Sequence, residues 1–512
     1  MNKEKKSGMY IPFWFTCRHD HHANHSIKNT NKIIFATILV FVFFTRLCLC
    51  APYDITMNSP HEYDGEKGGR NNIVSGIDDW HYLCLYAGYS GMAVILTVNP
   101  GDWSITTETS YQYDEDGDYM GLSRIDTDHY LCTYCGGYEQ AFASVLSLNL
   151  ADWSITKEST MMYDIEFGYY NALSRIDDTH YLGVHNKMDV TGSACVFTVD
   201  PSSWAITYGT EDHFETESGF DFMLLRIDNT HHFCVYPSQY EGYTGRAVVL
   251  VVDQNNWTVD PATYPVTYAT DSDAYSFLSR IDDNHFLCAY QGPDSDGWAV
   301  VLTVNTMYWS ISIETPYEYD TQLGGEPNLA RIDSTHFLCA YKGADADGYA
   351  VVLTVDTSNW VIHKETSFEF DETRADYPYL CKIDDAHYLC SYEGPESDGW
   401  AVVLDVELPG IGVDENDNVP DDMVFSNYPN PFADETTISF YSTANVHELD
   451  HITIYNIKGE VVTTLNLEAS DSGLSTIWDG KDDSGKSVSN GIYFYKFKAG
   501  DIERTHKLIL MR

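Results

Sequence analysis

Basic residues are scarce in this 512-residue chain. It contains 29 Lys and Arg against 77 Asp and Glu, for a formal charge of −48 at pH 7. Residues 1–50 hold seven of the basic and two of the acidic residues, so the remainder is more acidic still, at −53. A surface of this sign repels phosphate groups, which excludes nucleic acid as a partner. Cations, calcium among them, and neutral glycans are better suited to it.

Local signatures of catalysis are missing from residues 51–408 as well. This part of the chain has no G-x-S-x-G, no H-E-x-x-H and no Walker loop, and it lacks the Ser-x-Asp-x-Gly-x-Thr-Trp box of sialidases. The strings H-E-x-x-H at His447–His451 and G-x-x-x-x-G-K-S at Gly480–Ser487 occur only after residue 424. The sequence therefore favours a non-enzymatic protein. A pair of carboxylates leaves no local motif, however, so a carbohydrate-active hydrolase or lyase stays open as the alternative.

Long apolar runs are limited to one. Ile33–Phe44 spans 12 residues and follows Lys28 and Lys32. This run is short for a membrane span but typical of a signal-peptide core, and Ala51 offers a small residue after the cleavage point. We expect a signal peptide at residues 1–50 and no integral membrane span in the mature chain. Lipid attachment at Cys50 is the alternative, which the large Leu49 before it disfavours.

What the chain has in abundance is repetition. Seven times it shows Ile-Asp, two residues, His and an aromatic-rich segment, with the isoleucines at Ile77, Ile125, Ile176, Ile227, Ile281, Ile332 and Ile383. A period near 50 residues indicates one supersecondary unit per copy.

Each copy contains four strand-like segments. In the fifth copy they are Ser276–Ile281, Phe286–Tyr290, Trp298–Asn305 and Ser310–Tyr319, rich in Val, Ile, Tyr and Thr and separated by Asp, Asn and Gly. Four short antiparallel strands repeated seven times predict an all-β fold, a seven-bladed β-propeller over residues 51–408.

The two ends of the array are complementary. The seventh copy stops before its fourth strand, whereas Tyr53–Asp64 aligns without a gap to the fourth strand of the first copy, Trp103–Asp114. We therefore expect the N-terminal strand to complete the last blade and close the ring, which removes exposed sheet edges.

The first turn of every copy carries an Asp and a His three residues apart. Such an Asp can accept backbone N–H bonds, and such a His can bond to it or bind a metal. Because the pair recurs in all seven copies, we interpret it as a structural turn lock, with metal or ligand contact as the alternative. The pairs are Asp78/His81, Asp126/His129, Asp177/His180, Asp228/His231, Asp282/His285, Asp333/His336 and Asp384/His387.

Six of the nine cysteines after Cys50 share one position on the second strand. They are Cys84, Cys132, Cys234, Cys288, Cys339 and Cys390. Neighbouring blades lie roughly 10 Å apart, too far for a disulfide, so we expect small buried side chains. If Asp384–His387 closes a regular hairpin, Cys381 lies opposite Cys390, and a disulfide between these two is then possible.

The loops that differ between copies emerge on one face. They are acidic and aromatic, and variable loops on a rigid scaffold commonly carry function. The predicted ligand-binding face comprises Asp114, Asp116, Asp118, Tyr119, Tyr169, Tyr170, Asp271, Asp273, Tyr275 and Tyr377. Carboxylates before glycine also resemble part of a calcium loop, at Asp294, Asp296, Asp345 and Asp347. The alternative is ordinary turn chemistry, which also uses Asp and Gly.

The character of the chain changes after Leu408. Residues 409–424 form an acidic linker with Pro and Gly, and residues 425–512 alternate like the strands of a β-sandwich. This last segment resembles the C-terminal sorting domains of type IX secretion and the related Ig-like domains of flagellar hook caps. The motifs that carry the resemblance are Asn427–Phe432, Thr436–Phe440, Ile454–Gly459, Trp478–Gly485, Gly491–Lys496 and Lys507–Arg512.

The resemblance implies an Ig-like domain recognised by the type IX translocon at the outer membrane. Together with the propeller it predicts a secreted or surface-displayed ligand-binding or adhesion module, whose ligand is a glycan or a surface protein. The carbohydrate-active hydrolase or lyase is the second hypothesis, and a structural component of the envelope is the third.

Overall fold

The computed structural model describes most of the chain after the predicted signal peptide. The described residues are 52–65, 68–165, 167–187, 191–239, 243–270, 274–408, 423–428, 436–442, 451–456, 458, 461–470, 473–499 and 502–510. The predicted signal peptide and most of the predicted linker lie outside these ranges. Among the described residues, no helix has the length and apolar character needed to cross a membrane.

Seven antiparallel sheets, numbered here in chain order, occupy the described part of the repeat region. Sheets 1, 2 and 6 have four continuous strands each. They are Arg70–Gly76, His81–Ala87, Gly91–Val98 and Ile105–Asp114; Asp118–Arg124, His129–Cys135, Ala141–Asn149 and Ser154–Asp164; and Gly325–Arg331, His336–Lys342, Gly348–Asp356 and Val361–Asp371.

In sheets 3, 4 and 5 the fourth strand is divided in two. Their strands are Ala172–Arg175, His180–Asn186, Thr191–Val199, Ile206–Tyr208 and Asp212–Ser218; Met223–Arg226, His231–Ser238, Thr244–Asp253, Thr258–Pro261 and Val266–Thr270; and Ala274–Arg280, His285–Gln291, Gly297–Asn305, Ser310–Ile313 and Tyr317–Asp320. Short 3₁₀ turns occur at Gly137–Glu139, Pro293–Ser295, Ala344–Ala346 and Pro395–Ser397.

Sheet 7 joins the two ends of the array. Its first three strands are Asp376–Lys382, His387–Glu393 and Gly399–Val406, and the N-terminal segments Ile55–Met57 and His61–Asp64 pair with the third. The register Ile55↔Val406 and His61↔Ala401 makes the N-terminal segment the fourth strand. The predicted closure by residues 53–64 is therefore present in the structure.

The first strands of the sheets form a closed circle. Each contacts the first strand of the next sheet, and Asp376–Lys382 of sheet 7 contacts Arg70–Gly76 of sheet 1. The apolar core lies between neighbouring sheets, so that one buried cluster joins Leu338 and Val352 of sheet 6 to Tyr388 and Val402 of sheet 7. The fold is all-β and propeller-like.

The sequence located the strands well but misplaced one register. Cys381 pairs with Leu389, and Cys390 pairs with Leu380. Five residues separate Lys382 from its partner Tyr388, one more than a four-residue turn at Asp384–His387 would leave. The register is therefore shifted by one residue, and the two cysteines point to opposite faces. The predicted Cys381–Cys390 disulfide is therefore wrong. Both thiols are free, as are the six cysteines that share the second-strand position, which are all buried as expected.

The C-terminal segment contains two four-stranded antiparallel sheets in its described residues. One consists of Met423–Tyr428, Thr436–Ser442, Gly473–Trp478 and Glu468–Ser470, the other of Val461–Asn466, His451–Asn456, Gly491–Ala499 and Ile502–Leu510. Ile438, Ile454, Trp478 and Tyr495 share one buried cluster. The first strand begins at Met423, two residues before the predicted start of the domain.

Candidate functional site

A cavity of about 340 Å³ lies at the centre of the circle of first strands. All seven first strands or the residues just before them line it. The backbone packs closely where the chain leads into the first strand of sheet 6. A Cβ on Gly324 would lie 2.1 Å from the Cα of Gly297 in the neighbouring hairpin, so there is no room for a side chain at Gly324. Glycine at this position lets the chain enter the first strand of sheet 6 at the cavity mouth.

One residue of each sheet enters the cavity wall in the left-handed conformation, with φ between 45° and 57°. We call these seven residues the cavity ring: Asn71, Tyr119, Tyr170, Asp221, Tyr275, Glu326 and Tyr377. In five sheets the pairing of the first two strands is irregular at this point. A left-handed residue other than glycine costs about 1–3 kcal/mol. None of the seven is glycine, so each position keeps a side chain despite the strain.

The cavity ring combines phenol, carboxyl and amide groups. Tyr119 and Tyr170 pack edge to face with ring centroids 4.7 Å apart, and Tyr275 and Tyr377 do so at 6.0 Å. Further along the first strands the lining becomes mainly apolar, with residues such as Ile73, Leu122, Met223 and Phe277. The cavity thus offers hydrogen-bonding groups at the ring and an apolar surface beyond it.

Two carboxyl groups of the ring are held partly protonated near neutral pH. Burial, followed by the charge of Glu326, raises the pKa of Asp221 to about 8. Burial raises the pKa of Glu326 to about 7, although the backbone N–H of Tyr377, which donates to Glu326 Oε2 at 2.5 Å, works in the opposite direction. Both carboxyl groups border the cavity but are otherwise surrounded by protein. They can therefore donate or accept a hydrogen bond.

A network of charged side chains adjoins Glu326. Lys342 Nζ lies 2.5 Å from Asp376 Oδ1, and Arg374 bonds both Asp376 and Glu393 at 2.6 Å. Asp376 and Glu393 are buried, so these pairs are shielded from solvent. The network holds the segment that leads into Tyr377 and places charged groups on this side of the mouth.

The structure brings together part of the predicted ligand-binding face. Tyr119, Tyr170, Tyr275 and Tyr377 belong to the cavity ring, and Tyr169 contacts Tyr119 at 5.0 Å. Asp118 accepts a hydrogen bond from Asn71 Nδ2 at 2.6 Å, whereas Asp114 ends the fourth strand of sheet 1 and Asp116 lies in the loop between the two. Asp271 and Asp273 lie outside the described residues.

Sequence reasoning missed Asp221, Glu326 and Asn71. A signal for them existed, because each cavity-ring residue stands six positions before the isoleucine of its repeat. Aligning that position across the copies would have placed all seven in one set.

The predicted calcium loops are tight turns. Gly292 N–H donates to Asp296 O at 2.9 Å, and Asp294 occupies the left-handed apex. Partial desolvation and a hydrogen bond with Asp296 raise the pKa of Glu318. Partial desolvation and a hydrogen bond with Glu369 likewise raise the pKa of Asp347. In the described part of the chain, two groups of three His, Cys, Asp or Glu ligands come within 4.8 Å, and neither contains Asp294, Asp296, Asp345 or Asp347. Calcium binding there stays a prediction.

One of those two groups surrounds the buried His185 of sheet 3. Its Nε2 lies 3.0 Å from Glu211 Oε1 and 3.6 Å from Asp164 Oδ2. Lys187 Nζ lies 2.5 Å from Glu211 and 3.3 Å from Asp164, and it already supplies a positive charge to both carboxylates. Lys187 thus balances part of the negative charge of this group, whereas His185 Nε2 and Glu211 Oε1 face each other within the described residues without a hydrogen bond of good geometry. The other group, Asp126, Asp128 and His129, is part of a first turn.

All seven Asp–His turns share one geometry. The histidine Nδ1 lies 2.8–3.0 Å from the aspartate Oδ1, which also accepts the histidine backbone N–H at 2.8–2.9 Å. Partial burial opposes the effect, but these donors hold the pKa of every one of the seven aspartates below its ordinary value. The turn-lock role stays a prediction, with which this uniform geometry agrees.

Each of these histidines also stacks on an aromatic ring of the following sheet. The centroids are 3.5–3.9 Å apart, and the aromatic residue is left-handed, with φ from 55° to 64°. We call these pairs the histidine–tryptophan ring: His81–Trp153, His129–Trp204, His180–Trp257, His231–Trp309, His285–Trp360, His336–Tyr53 and His387–Trp103. Tyr53 takes the place of tryptophan at the point of closure.

The comparison with known families concerns the C-terminal segment. Residues 426–511 match the secretion system C-terminal sorting domain, which confirms the resemblance found in the motifs. This segment is a type IX sorting domain. The chain is thus a client of the type IX secretion system, exported to the cell surface or secreted.

No curated protein shows significant sequence similarity to the chain. Similar solved structures include a putative 6-phosphogluconolactonase from Bacteroides fragilis, 10% identical, with a TM-score of 0.44 over 59% of this chain and 84% of that one. The periplasmic gluconolactonase of Pseudomonas aeruginosa is 12% identical, with a TM-score of 0.46 over 70% and 97%. PorZ, a surface component of the type IX secretion system of Porphyromonas gingivalis, is 11% identical, with a TM-score of 0.40 over 85% and 58%.

Proposed function

We propose that the chain is a seven-bladed β-propeller, followed by an Ig-like sorting domain, that binds a neutral glycan in its central cavity at the cell surface. The observation that carries the proposal is the cavity ring. Seven residues accept a strained backbone, and four of them are tyrosines beside an aspartic acid, a glutamic acid and an asparagine. Such strain is commonly retained where it positions functional side chains.

The chemistry of the ring fits a sugar. Tyrosine offers an apolar face for the C–H groups of a pyranose and a hydroxyl for its polar edge. Partly protonated Asp221 and Glu326 can donate to or accept from sugar hydroxyls. The cavity volume of about 340 Å³ lies at the lower end of the range for small-molecule sites. The strongly acidic chain disfavours anionic sugars.

The test is a glycan array probed with the full secreted chain, wild type and Tyr275→Ala. Tyr264→Ala is the matched control, because Tyr264 is 93% exposed and does not line the cavity. We expect binding of neutral glycans by the wild type and the control and loss of that binding in Tyr275→Ala. Unchanged binding by Tyr275→Ala, with all three proteins folded, would contradict the proposal.

A carbohydrate-active hydrolase or lyase is the second candidate, and Asp221 and Glu326 are the observation that favours it. Two carboxyl groups with pKa values near neutrality can act as acid and base on one substrate. Incubation with neutral polysaccharides should then release shorter sugars, and Asp221→Asn or Glu326→Gln should abolish the release. Binding without any release supports the non-enzymatic function.

Calcium binding at the hairpin loops is tested separately by thermal unfolding of the full chain in EDTA and in millimolar calcium. A site in Asp294–Asp296 or Asp345–Asp347 raises the unfolding midpoint, because calcium then stabilises the folded state by mass action. An unchanged midpoint assigns these aspartates to turn formation.

A further inference from the structure

A continuous row of aromatic side chains begins at the cavity ring and runs across one side of the mouth. Neighbouring ring centroids lie 4.7–6.1 Å apart along the whole row. We call it the aromatic row, and its members in order are Phe167, Tyr169, Tyr119, Tyr170, Phe220 and Tyr243. Two of the six, Tyr119 and Tyr170, also belong to the cavity ring.

The aromatic row is not part of the hydrophobic core. The core tyrosines Tyr113 and Tyr163 are almost completely buried, whereas every member of the row keeps part of its surface exposed, up to 40% for Tyr243. The row also spans the first strand of sheet 2, the segments before sheets 3 and 4, and the hairpin of sheet 4, four separate stretches of chain. A surface shared by several loops on a rigid scaffold is typical of a binding site.

The two sides of the mouth differ in chemistry. On the side of sheets 6 and 7 the charged pairs of Lys342, Arg374, Asp376 and Glu393 surround Glu326. On the side of sheets 2 to 4 the aromatic row presents ring faces, ring edges and phenol groups, with Asp118 next to Tyr119 and Glu139 next to Tyr169. An elongated ligand that leaves the cavity on this side therefore meets a continuous row of aromatic rings.

We infer that the aromatic row is an extended subsite for a neutral oligosaccharide, whose end unit occupies the cavity and whose following units contact the exposed faces and edges of the row. This inference rests on the proposed function and names a chain of sugars as the substrate class. The ring spacing is comparable to the length of one pyranose unit in an extended chain. Tyrosine and phenylalanine lose little conformational freedom on stacking, so each added contact contributes to affinity.

The test measures affinity against ligand length by titration calorimetry. The probes are single sugars and linear oligomers of two to six units from the neutral hexose series that binds on the array, and the protein is the full chain. The wild type should bind the longest oligomer at least about tenfold more tightly than the single sugar. Phe220→Ala and Tyr243→Ala should lose this gain and keep the affinity for the single sugar. Tyr264→Ala, outside the row, should behave like the wild type.

Three results would overturn the inference. Affinity that does not rise with length, or a rise that both alanine variants retain, refutes the extended subsite and leaves the cavity site intact. Preference of the row for aromatic or proline-rich peptides over oligosaccharides refutes its assignment to sugars. Absence of binding to any neutral sugar at any length refutes the proposed function itself. Thermal midpoints of the variants confirm that each is folded.

Discussion

The cavity ring and the histidine–tryptophan ring are built on the same strained backbone but use it in opposite ways. Each contains seven left-handed residues, one per sheet: every member of the cavity ring, and the aromatic member of each pair in the histidine–tryptophan ring. The histidine–tryptophan ring repeats one pair almost unchanged, with Tyr53 as its single variation. The cavity ring holds four tyrosines, an asparagine, an aspartate and a glutamate. A joint between equivalent sheets has the same task seven times, whereas a binding site needs one particular arrangement.

The two rings are also expected to contribute to different properties, one to the stability of the whole circle of sheets and the other to ligand binding. Each histidine–tryptophan pair couples the first turn of one sheet to the fourth strand of the next, so removing one pair should weaken the whole circle. A cavity-ring side chain borders an open space and stabilises few neighbours. The first ring should therefore control stability and the second should control binding.

The largest effect on stability is expected from Trp309→Ala. The change removes the stack on His231 and the packing of Trp309 against the neighbouring core cluster. We expect the free energy of unfolding to fall by about 3 kcal/mol, measured by denaturant titration. Tyr264→Ala is the control and should have little effect. A Trp309→Ala protein as stable as the wild type would show that this ring does not hold the sheets together.

A smaller loss is expected from Asp282→Ala. Asp282 Oδ1 accepts the backbone N–H groups of Asn284 and His285, both at 2.9 Å. Because the group is partly exposed, the loss should be about 1 kcal/mol at pH 7. The pKa of Asp282 is lowered in the folded state, so this contribution is present above the unfolded pKa and disappears as the pH falls through the folded value.

Asp283→Ala is the matched control for that experiment, because Asp283 is the exposed neighbour in the same turn. Two equal losses, or a loss in Asp282→Ala that persists at pH 2, would show that the carboxylate of Asp282 does not lock the turn.

In the cavity ring, Glu326→Gln should increase stability at alkaline pH. The folded-state pKa of Glu326 is raised to about 7, so the wild type loses stability as the pH rises from the unfolded value through 7. Glutamine avoids this loss. The thermal midpoint should rise by about 2 °C or more at pH 9 and stay unchanged at pH 4. Asp221→Asn should behave similarly, since the pKa of Asp221 is raised to about 8.

Asp294→Asn serves as the control for the carboxyl variants, because Asp294 is exposed on a hairpin. A lower midpoint for Glu326→Gln at pH 9 would mean that the charged carboxylate stabilises the fold, contrary to the interpretation of the cavity ring as a site that opposes stability.

The smallest effect should come from Tyr53→Trp, which makes the histidine–tryptophan ring uniform. Tyr53 stacks on His336 at 3.9 Å, and its hydroxyl donates to Asp333 at 3.2 Å. Tryptophan keeps the stack and loses the hydrogen bond, so unfolding free energy should change by less than about 1 kcal/mol. A collapse of the fold would show that Tyr53 is not equivalent to the tryptophans.

The repeat made most of the propeller-like region predictable, because its period and turn residues report local structure. Strand positions in the fifth copy agree with the structure to within two residues, apart from the break in Ser310–Tyr319. The complementary ends of the array predicted the pairing of residues 55–64 with Gly399–Val406. Contacts that depend on the angle between neighbouring sheets could not be predicted from the sequence. The stack of His81 on Trp153, one copy further along, is an example.

The candidate site was predictable only in part for a related reason. The tyrosines of the loops stood out by their chemistry, but Asp221 and Glu326 resembled ordinary acidic loop residues. Their significance comes from burial in a shared cavity, which a linear pattern does not reveal. The Cys381–Cys390 prediction was wrong because one extra residue in the turn shifts the pairing.

The central claim is that the variable ring binds and the uniform ring holds the sheets together. The most direct test is glycan-array binding and thermal unfolding measured side by side for Tyr275→Ala and Trp309→Ala. The account predicts that Tyr275→Ala loses glycan binding and keeps its unfolding midpoint, and that Trp309→Ala keeps binding below a lowered midpoint. Retained binding in Tyr275→Ala together with an unchanged midpoint in Trp309→Ala would contradict it.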